Sequence, residues 1–555
     1  MGGKKPSREE IAWKEIGTTA IGRNLAVGLS VFFLITVFLV PLGQYALDLQ
    51  HGTSVSFVVP SGGTGSREEG VFAVIERRNN NILESIHRLE NSLEEGSFLR
   101  KIFLPPLQYV LLRFFDKGND KAIPGKDGWL HFAPALDYLV GPPFLHPDQL
   151  RIRETAHKLW EKPLQPDPLA AIIDFHKQLA DRGVALIVVP IPVKAAIQPD
   201  KISTRPISLP LTSRSWQPFV RVLQDNGVQF FDARPVLTRY VEQHGDAYLR
   251  TDTHWQPGAM QAVAEDLAAC IAKQFPGLSR AQSLHAQPQT LVGYGDIARM
   301  LTLPEDAGLY PGQEVQVRQI LSGQQEFWQP DRRAEILLLG DSFANIYSTE
   351  GLGWGMGAGF AEQLSYILQS PLDLLARNDS GAYVTREMLT GELARGRDRL
   401  ADKKLVIWQF SERELAFGDW RRLAMQTGKP KDAGFFIAPS GESTRVTGVV
   451  AAISRSARPG SVPYRDNILT LHLVDLQGLD QQLPADQALV YSWGMRDNQL
   501  TKLAALRPGD SVSLSLTAWE AVEGEFGSYR RTSLDDQMME LESANWGVFI
   551  DEKAR

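Results

Sequence analysis

The run Ile336-Leu337-Leu338-Leu339 breaks off at Gly340-Asp341-Ser342. Four aliphatic residues in a row have strand length and no polar face. Such a segment needs apolar packing on both sides, which a central parallel strand receives and a strand with one wet face does not. Related runs lie at residues 184–189, 228–232, 372–375 and 405–410. Helical spacing fills the intervals at 169–179, 219–223 and 257–274, the last with Pro257 in its first turn. Strands alternating with helices predict a doubly wound, mainly parallel α/β sheet.

In open sheets of this kind, ligands bind outside the carboxyl ends of the strands. Ser342 stands at such an end, but a serine hydroxyl is a weak nucleophile until a base lies within hydrogen-bond reach. Upstream, Thr251-Asp252-Thr253-His254-Trp255 supplies a histidine and an acid. In an extended segment positions i and i+2 point the same way. Asp252 and His254 are therefore expected to face one site from a strand end, with His254 as base and Asp252 fixing its tautomer. Each half has other uses: a Gly-Asp-Ser turn can cap a helix or bind phosphate, and Asp-x-His is half a zinc site. No His-x-x-x-His completes one, and no metal or cofactor is expected.

The ends of the chain differ from this middle. Residues 25–42 carry no charge and approach the length of a membrane span, with Lys4, Lys5, Arg8, Lys14 and Arg23 before them. That predicts an uncleaved single-pass anchor with residues 1–24 cytoplasmic and the remainder outside. Residues 51–70 read as a linker, and Ile82, Ile86, Leu89 and Leu93 as one stripe of an amphipathic helix within a region spanning 43–120. After residue 428 helical periodicity gives way to β segments at 446–453, 468–474, 488–493 and 511–519, separated by turns such as Arg507-Pro508-Gly509-Asp510. Residues 429–555 are thus expected to form a small all-β domain, a barrel or sandwich, with an OB-like barrel among the choices. Trp493, Trp519, Tyr529 and Trp546 are there as core or as a sugar-stacking face. Cys270, the only cysteine, excludes an internal disulfide and sits on an apolar helix face as an inert thiol. A net charge of −7 argues against a nucleic-acid partner.

Gly340-Asp341-Ser342 after a buried strand resembles the nucleophile block of the SGNH (GDSL-like) esterase superfamily. In most of that superfamily the acid–histidine pair follows the serine; here Asp252 and His254 precede it. That order, the spelling Asp-Thr-His-Trp, the N-terminal apolar run, Gly125-Lys126-Asp127-Gly128-Trp129-Leu130 and Pro190-Ile191-Pro192-Val193-Lys194 together resemble the alginate O-acetyltransferase family (the AlgJ and AlgX type). The resemblance implies an SGNH-like catalytic domain over residues 121–428 and transfer of acetyl groups to an exopolysaccharide on the periplasmic side of the inner membrane. It implies Ser342 as the acetyl carrier and a membrane-bound O-acyltransferase as the donor's source. It also directs attention to the backbone N–H of Ser342, Arg377 and Asn378 as oxyanion or substrate contacts, and to Lys194 as a contact to an anionic sugar or a plain surface residue. A carbohydrate acetyl esterase uses the same three residues, and a polysaccharide-binding scaffold uses none of them chemically; both stand as rivals.

Overall fold

The computed structural model describes residues 22–39, isolated positions between 44 and 86, and residues 97–550 apart from 157–162, 203–210, 279–282, 324–325, 350–351, 379–380, 395, 429–433, 440, 455–463, 528, 535–538 and 540–541. The expected linker, and most of the helix expected around Ile82 to Leu93, lie outside the described residues. The chain divides into two units, Met1–Pro106 and Leu107–Arg555. In the first unit, Arg23–Leu34 is a helix continued by a π-turn, Ile35–Leu39. All its described side chains are exposed. Among the described residues no helix is long and apolar enough to cross a membrane, so the expected span over residues 25–42 is seen only as this shorter element.

The second unit contains the predicted sheet. Its strands are β1 (Ala185–Ile191), β2 (Gln229–Phe230), β3 (Ile336–Gly340), β4 (Asp373–Ala376) and β5 (Leu405–Ser411), in the order β2-β1-β5-β3-β4. Every pairing is parallel. Along β3, Ile336 and Leu338 enter one core and Leu337 and Leu339 the other, which is why the run tolerates no polar residue. Helices α1 (Pro168–Ala180), α2 (Trp216–Asp225), α3 (Pro257–Gln274), α4 (Ser342–Asn345), α5 (Phe360–Leu368) and α6 (Val384–Ala394) complete the layers.

The run expected at 184–189 extends further: β1 continues through Pro190 to Ile191. In a parallel strand alternate residues turn their backbone groups to opposite neighbours. Val188 O accepts from Phe231 N on the β2 side, so Pro190 faces that side too, beyond the last residue of two-residue β2. No ladder bond is lost there, and proline is tolerated. An antiparallel hairpin, Leu284–Gly293 with Gln313–Ser322, was not legible in the sequence.

The C-terminal region is a barrel. Strands β6 (Thr444–Ile453), β7 (Asn467–Gly478), β8 (Gln487–Arg496), β9 (Ser511–Ala518) and β10 (Ala544–Phe549) close a five-membered ring in the order β6-β7-β8-β10-β9, with β9 returning to β6. The β8–β10 pairing is parallel and the rest of the ring antiparallel, an OB-type arrangement. Leu469, Leu471, Val490, Leu514 and Leu516 fill the interior. Helix α7 (Trp519–Phe526) lies outside against Tyr491, Trp493 and Trp546.

Candidate active site

Strand β3 delivers Ser342 as the first residue of α4, and Asp341 caps that helix by accepting a hydrogen bond from the N–H of Phe343 at 2.9 Å. The cap is itself fixed from β5: Gln409 Nε2 donates to Asp341 Oδ1 at 2.8 Å and the N–H of Ser411 to Oδ2 at 2.6 Å. The serine therefore stands on a turn held by the central strands.

The other half departs from expectation. Asp252 and His254 are not on a strand end. They lie in a tight loop between Tyr248 and Trp255, which form an isolated antiparallel bridge. Asp252 Oδ1 accepts from the N–H of His254 at 3.0 Å and from its Nδ1–H at 2.6 Å. An aspartate that turns back onto the backbone two residues on makes an Asx-turn. The turn, and not strand alternation, puts acid and base on the same side.

Distant segments complete the loop. Asp252 Oδ2 accepts from the N–H of Asp296 and from Trp354 Nε1–H, both at 2.9 Å. The Asp296 carboxylate in return accepts from Thr253 N–H at 2.8 Å and Thr253 Oγ1–H at 2.6 Å. Gly295 makes this approach feasible, since a Cβ there would lie 2.0 Å from Thr251 O. The Gly125–Leu130 turn supports the loop from below through Leu130 N–H to Arg250 O at 3.0 Å.

The two halves meet with His254 Nε2 2.9 Å from Ser342 Oγ. Trp255 Nε1–H donates to Phe343 O at 3.2 Å and Tyr347 O–H to Trp255 O at 2.7 Å, so loop and α4 are also bonded on either side of the pair. Asp252, His254 and Ser342 are 1%, 4% and 7% exposed and open onto a cavity of about 480 Å³. Burial alone would raise the Asp252 pKa, but the adjoining imidazole and the hydrogen bonds hold it well below the usual carboxylate range. Burial alone would lower that of His254, but the Asp252 charge and hydrogen bond outweigh it and raise it. Such an arrangement can take a proton from Ser342 and hold it against a neighbouring carboxylate. Asp252, His254 and Asp296 also bring ligand-type atoms within 4.8 Å of one another. Those carboxylates already accept the bonds just described, so a cation there would have to displace them.

The remaining sequence candidates separate. Asn378 lines the cavity, and its Oδ1 accepts from Asn345 Nδ2 at 2.9 Å. Arg377 does not line it; its guanidinium lies 4.0 Å from Asp510 of the barrel. Lys194 is neither on the surface nor in the main cavity. Only 4% exposed, it donates to Leu130 O and Arg250 O at 2.8 and 3.0 Å, and burial lowers its pKa to about 7. It supports the acid–base loop. Asp296, Arg299 and Arg413, which line the cavity, and Trp354, which bonds Asp252, escaped the sequence reading. The available signal was Gly293-Tyr294-Gly295-Asp296 and Gly353-Trp354-Gly355, glycines where backbone and indole pack closely.

Residues 122–412, just over half of the chain, match the family model of the SGNH hydrolase-like domain of acetyltransferase AlgX. A relative described as probable alginate O-acetylase AlgJ, from Azotobacter vinelandii, is 29% identical over 331 residues, covering 56% of this chain and 80% of that protein. The protein of the same description from Pseudomonas syringae pv. tomato is 25% identical over 193 residues, covering 34% of this chain and 44% of that one. Among solved structures, the O-acetyltransferase domain of Pseudomonas putida AlgJ aligns at 21% identity and TM-score 0.40, covering 54% of this chain and 93% of that one. Pseudomonas aeruginosa AlgX aligns at 15% identity and TM-score 0.40, covering 72% and 90%.

Proposed function

The chain belongs to the family of SGNH hydrolase-like acetyltransferases of the AlgX type, and from that premise we propose that it moves acetyl groups onto hydroxyls of an exopolysaccharide through an acetyl-Ser342 intermediate. The observation that carries the reading is the unbroken chain from Ser342 Oγ through His254 to Asp252 at the wall of an open cavity.

In the first half-reaction Ser342 Oγ attacks the acetyl carbonyl of the donor while His254 Nε2 takes its proton. The donor's leaving oxygen departs with that proton, and Ser342 keeps the acetyl group. In the second, His254 takes the proton of a sugar hydroxyl, that oxygen attacks the acetyl carbon, and Ser342 Oγ leaves with the proton from His254. Donor ester and sugar alcohol become donor alcohol and sugar ester. Asp252 holds Nδ1–H throughout and stabilises the imidazolium. The N–H of Ser342 and the Asn378 amide are the oxyanion contacts in this reading, since Asn378 borders the cavity. The exposed apolar helix at Arg23–Leu34 supports an anchor at the inner membrane; the proposal further takes the catalytic part to lie in the periplasm and a membrane-bound O-acyltransferase to supply the acetyl donor.

The test is incubation with a chromogenic acetyl ester, with and without an oligosaccharide acceptor. The expected result is acetylated oligosaccharide, an acetyl mass shift on the Ser342 peptide, and loss of both in Ser342→Ala, by ~10³-fold or more in rate. Acetate as the sole product in the presence of acceptor would identify a hydrolase and sink the transfer reading.

A further inference from the structure

We infer that the C-terminal barrel is a positioning element of the catalytic site, acting through Arg507 on the turn that follows the nucleophile. The inference rests on Ser342 being that nucleophile.

Helix α4 is followed by the turn Ile346-Tyr347-Ser348, with the N–H of Ser348 returning to Asn345 O at 2.8 Å. Ser348 is held at both of its oxygens: its Oγ–H donates to Glu362 Oε2 at 2.8 Å, and its carbonyl oxygen accepts from Arg507 Nη2–H and from the N–H of Gly357, both at 3.3 Å. Arg507 also donates to Glu362 Oε1 at 2.7 Å. One guanidinium from the barrel thus bonds the backbone of the nucleophile turn and the carboxylate that holds its side chain. Glu362 is fully buried, where a carboxylate left without a partner would be costly. Among the described residues, Arg507 is the cation paired with it.

The turn that carries Arg507 is rigid. Arg507 N–H donates to Asp510 Oδ2 at 2.8 Å, and Gly509 N–H and Asp510 O bond Val450 of β6 at 2.7 and 2.8 Å. Gly509, at φ +100°, is pressed against α6 and β4, where a Cβ would lie 2.4 Å from Met388 Cε. Strand β6 is therefore coupled through this turn to the segment after Ser342.

The alternative use of the barrel is poorly served. OB-type barrels take oligosaccharides on the outer face of their second and third strands. Here that face carries Ile468, Leu489 and Tyr491 and is covered by the chain's own α7 and Leu534. Phe526 stacks on Trp546 at 4.4 Å between ring centroids, and Trp493 meets Trp546 edge-on at 5.4 Å. The tryptophans are a packing cluster.

The test uses the full-length chain and a fluorophosphonate that labels reactive serines. Arg507→Ala is expected to slow the rate constant for Ser342 labelling by ~10-fold or more, with complete final labelling. Turnover of an acetyl ester should lose kcat by the same factor with KM unchanged within about twofold, and Arg507→Lys should recover part of both. Where Arg507→Ala does not fold, Glu362→Gln keeps the shape, removes the buried charge and carries the same expectation. A wild-type rate constant in the variant, whatever the final amplitude, overturns the inference, as does a change confined to KM. A wild-type chain that takes no label overturns the nucleophile assignment and this inference with it.

Discussion

The proposed nucleophile and the proposed base reach the same point by different physics. Ser342 rides on β3, whose four aliphatic residues are buried between two cores. Asp252 and His254 ride on a loop without regular structure, fixed by polar contacts from Asp296, Trp354, Thr253 and Lys194. One side is held by the amount of apolar surface removed from water, the other by the direction of individual hydrogen bonds. Damage to the first should therefore cost stability, and damage to the second should cost rate.

The largest effect expected from this contrast is at Asp252. Asp252→Asn keeps the shape but reverses the hydrogen bond that sets the His254 tautomer, and kcat should fall by ~10³–10⁴-fold. Its pH profile sharpens the point. His254 must be neutral to accept the serine proton, and Asp252 raises its pKa, so activity in the native chain should fall as pH drops through a value above that of an ordinary histidine. In Asp252→Asn the raising charge is gone while burial remains, so the acidic limb of kcat/KM should move to lower pH. An acidic limb that stays in place would break the assignment of His254 as base.

A smaller loss is expected at Trp354, which gives Asp252 one of its N–H donors. Trp354→Phe leaves a buried carboxylate oxygen short of a partner, a cost of ~1–3 kcal/mol. We expect kcat lower by about 10–100-fold, in proportion to such a loss falling on the transition state, with the midpoint of thermal unfolding lowered modestly. Unchanged kcat with a large loss of stability would put the indole with the core and erase the contrast. Leu338→Ala should do the reverse: destabilisation of about 2–5 kcal/mol in denaturant titration, with kcat per folded molecule within a few-fold of native. A collapse of kcat in molecules shown to be folded would mean that β3 is as directional a support as the loop.

The same division explains what was legible in the sequence. The sheet was readable because its strands are apolar on both faces, and Ser342 because a helix cap follows one of them directly. Asp252 and His254 were readable as residue types, but the loop was read as a strand end, since alternation and an Asx-turn both put positions two apart on one side. Asp296 and Trp354 were not readable, because what they do depends on a hydrogen bond across 44 and 102 positions and no periodicity marks it. The surface reading of Lys194 fails because a lysine after Pro-Ile-Pro-Val gives no sign of burial until the carbonyls of Leu130 and Arg250 are seen to accept from its ammonium. Strand β10 went unseen, with Asn545 turned inward to bond Phe436 O and the N–H of Ala438 in place of an apolar side chain.

The Asx-turn at Asp252 has one further consequence. Acid and base are bonded twice within three residues, so their mutual geometry is set locally. They behave as a portable cartridge for any scaffold that supplies its outer supports, here Asp296, Trp354 and Lys194, and places the loop beside a serine. The order of the three residues along the chain then carries no chemical constraint, and a cartridge inserted ahead of the nucleophile strand works by the same contacts as one inserted behind it. Grafting becomes a question of aligning one supported loop with one hydroxyl, not of arranging three independent side chains.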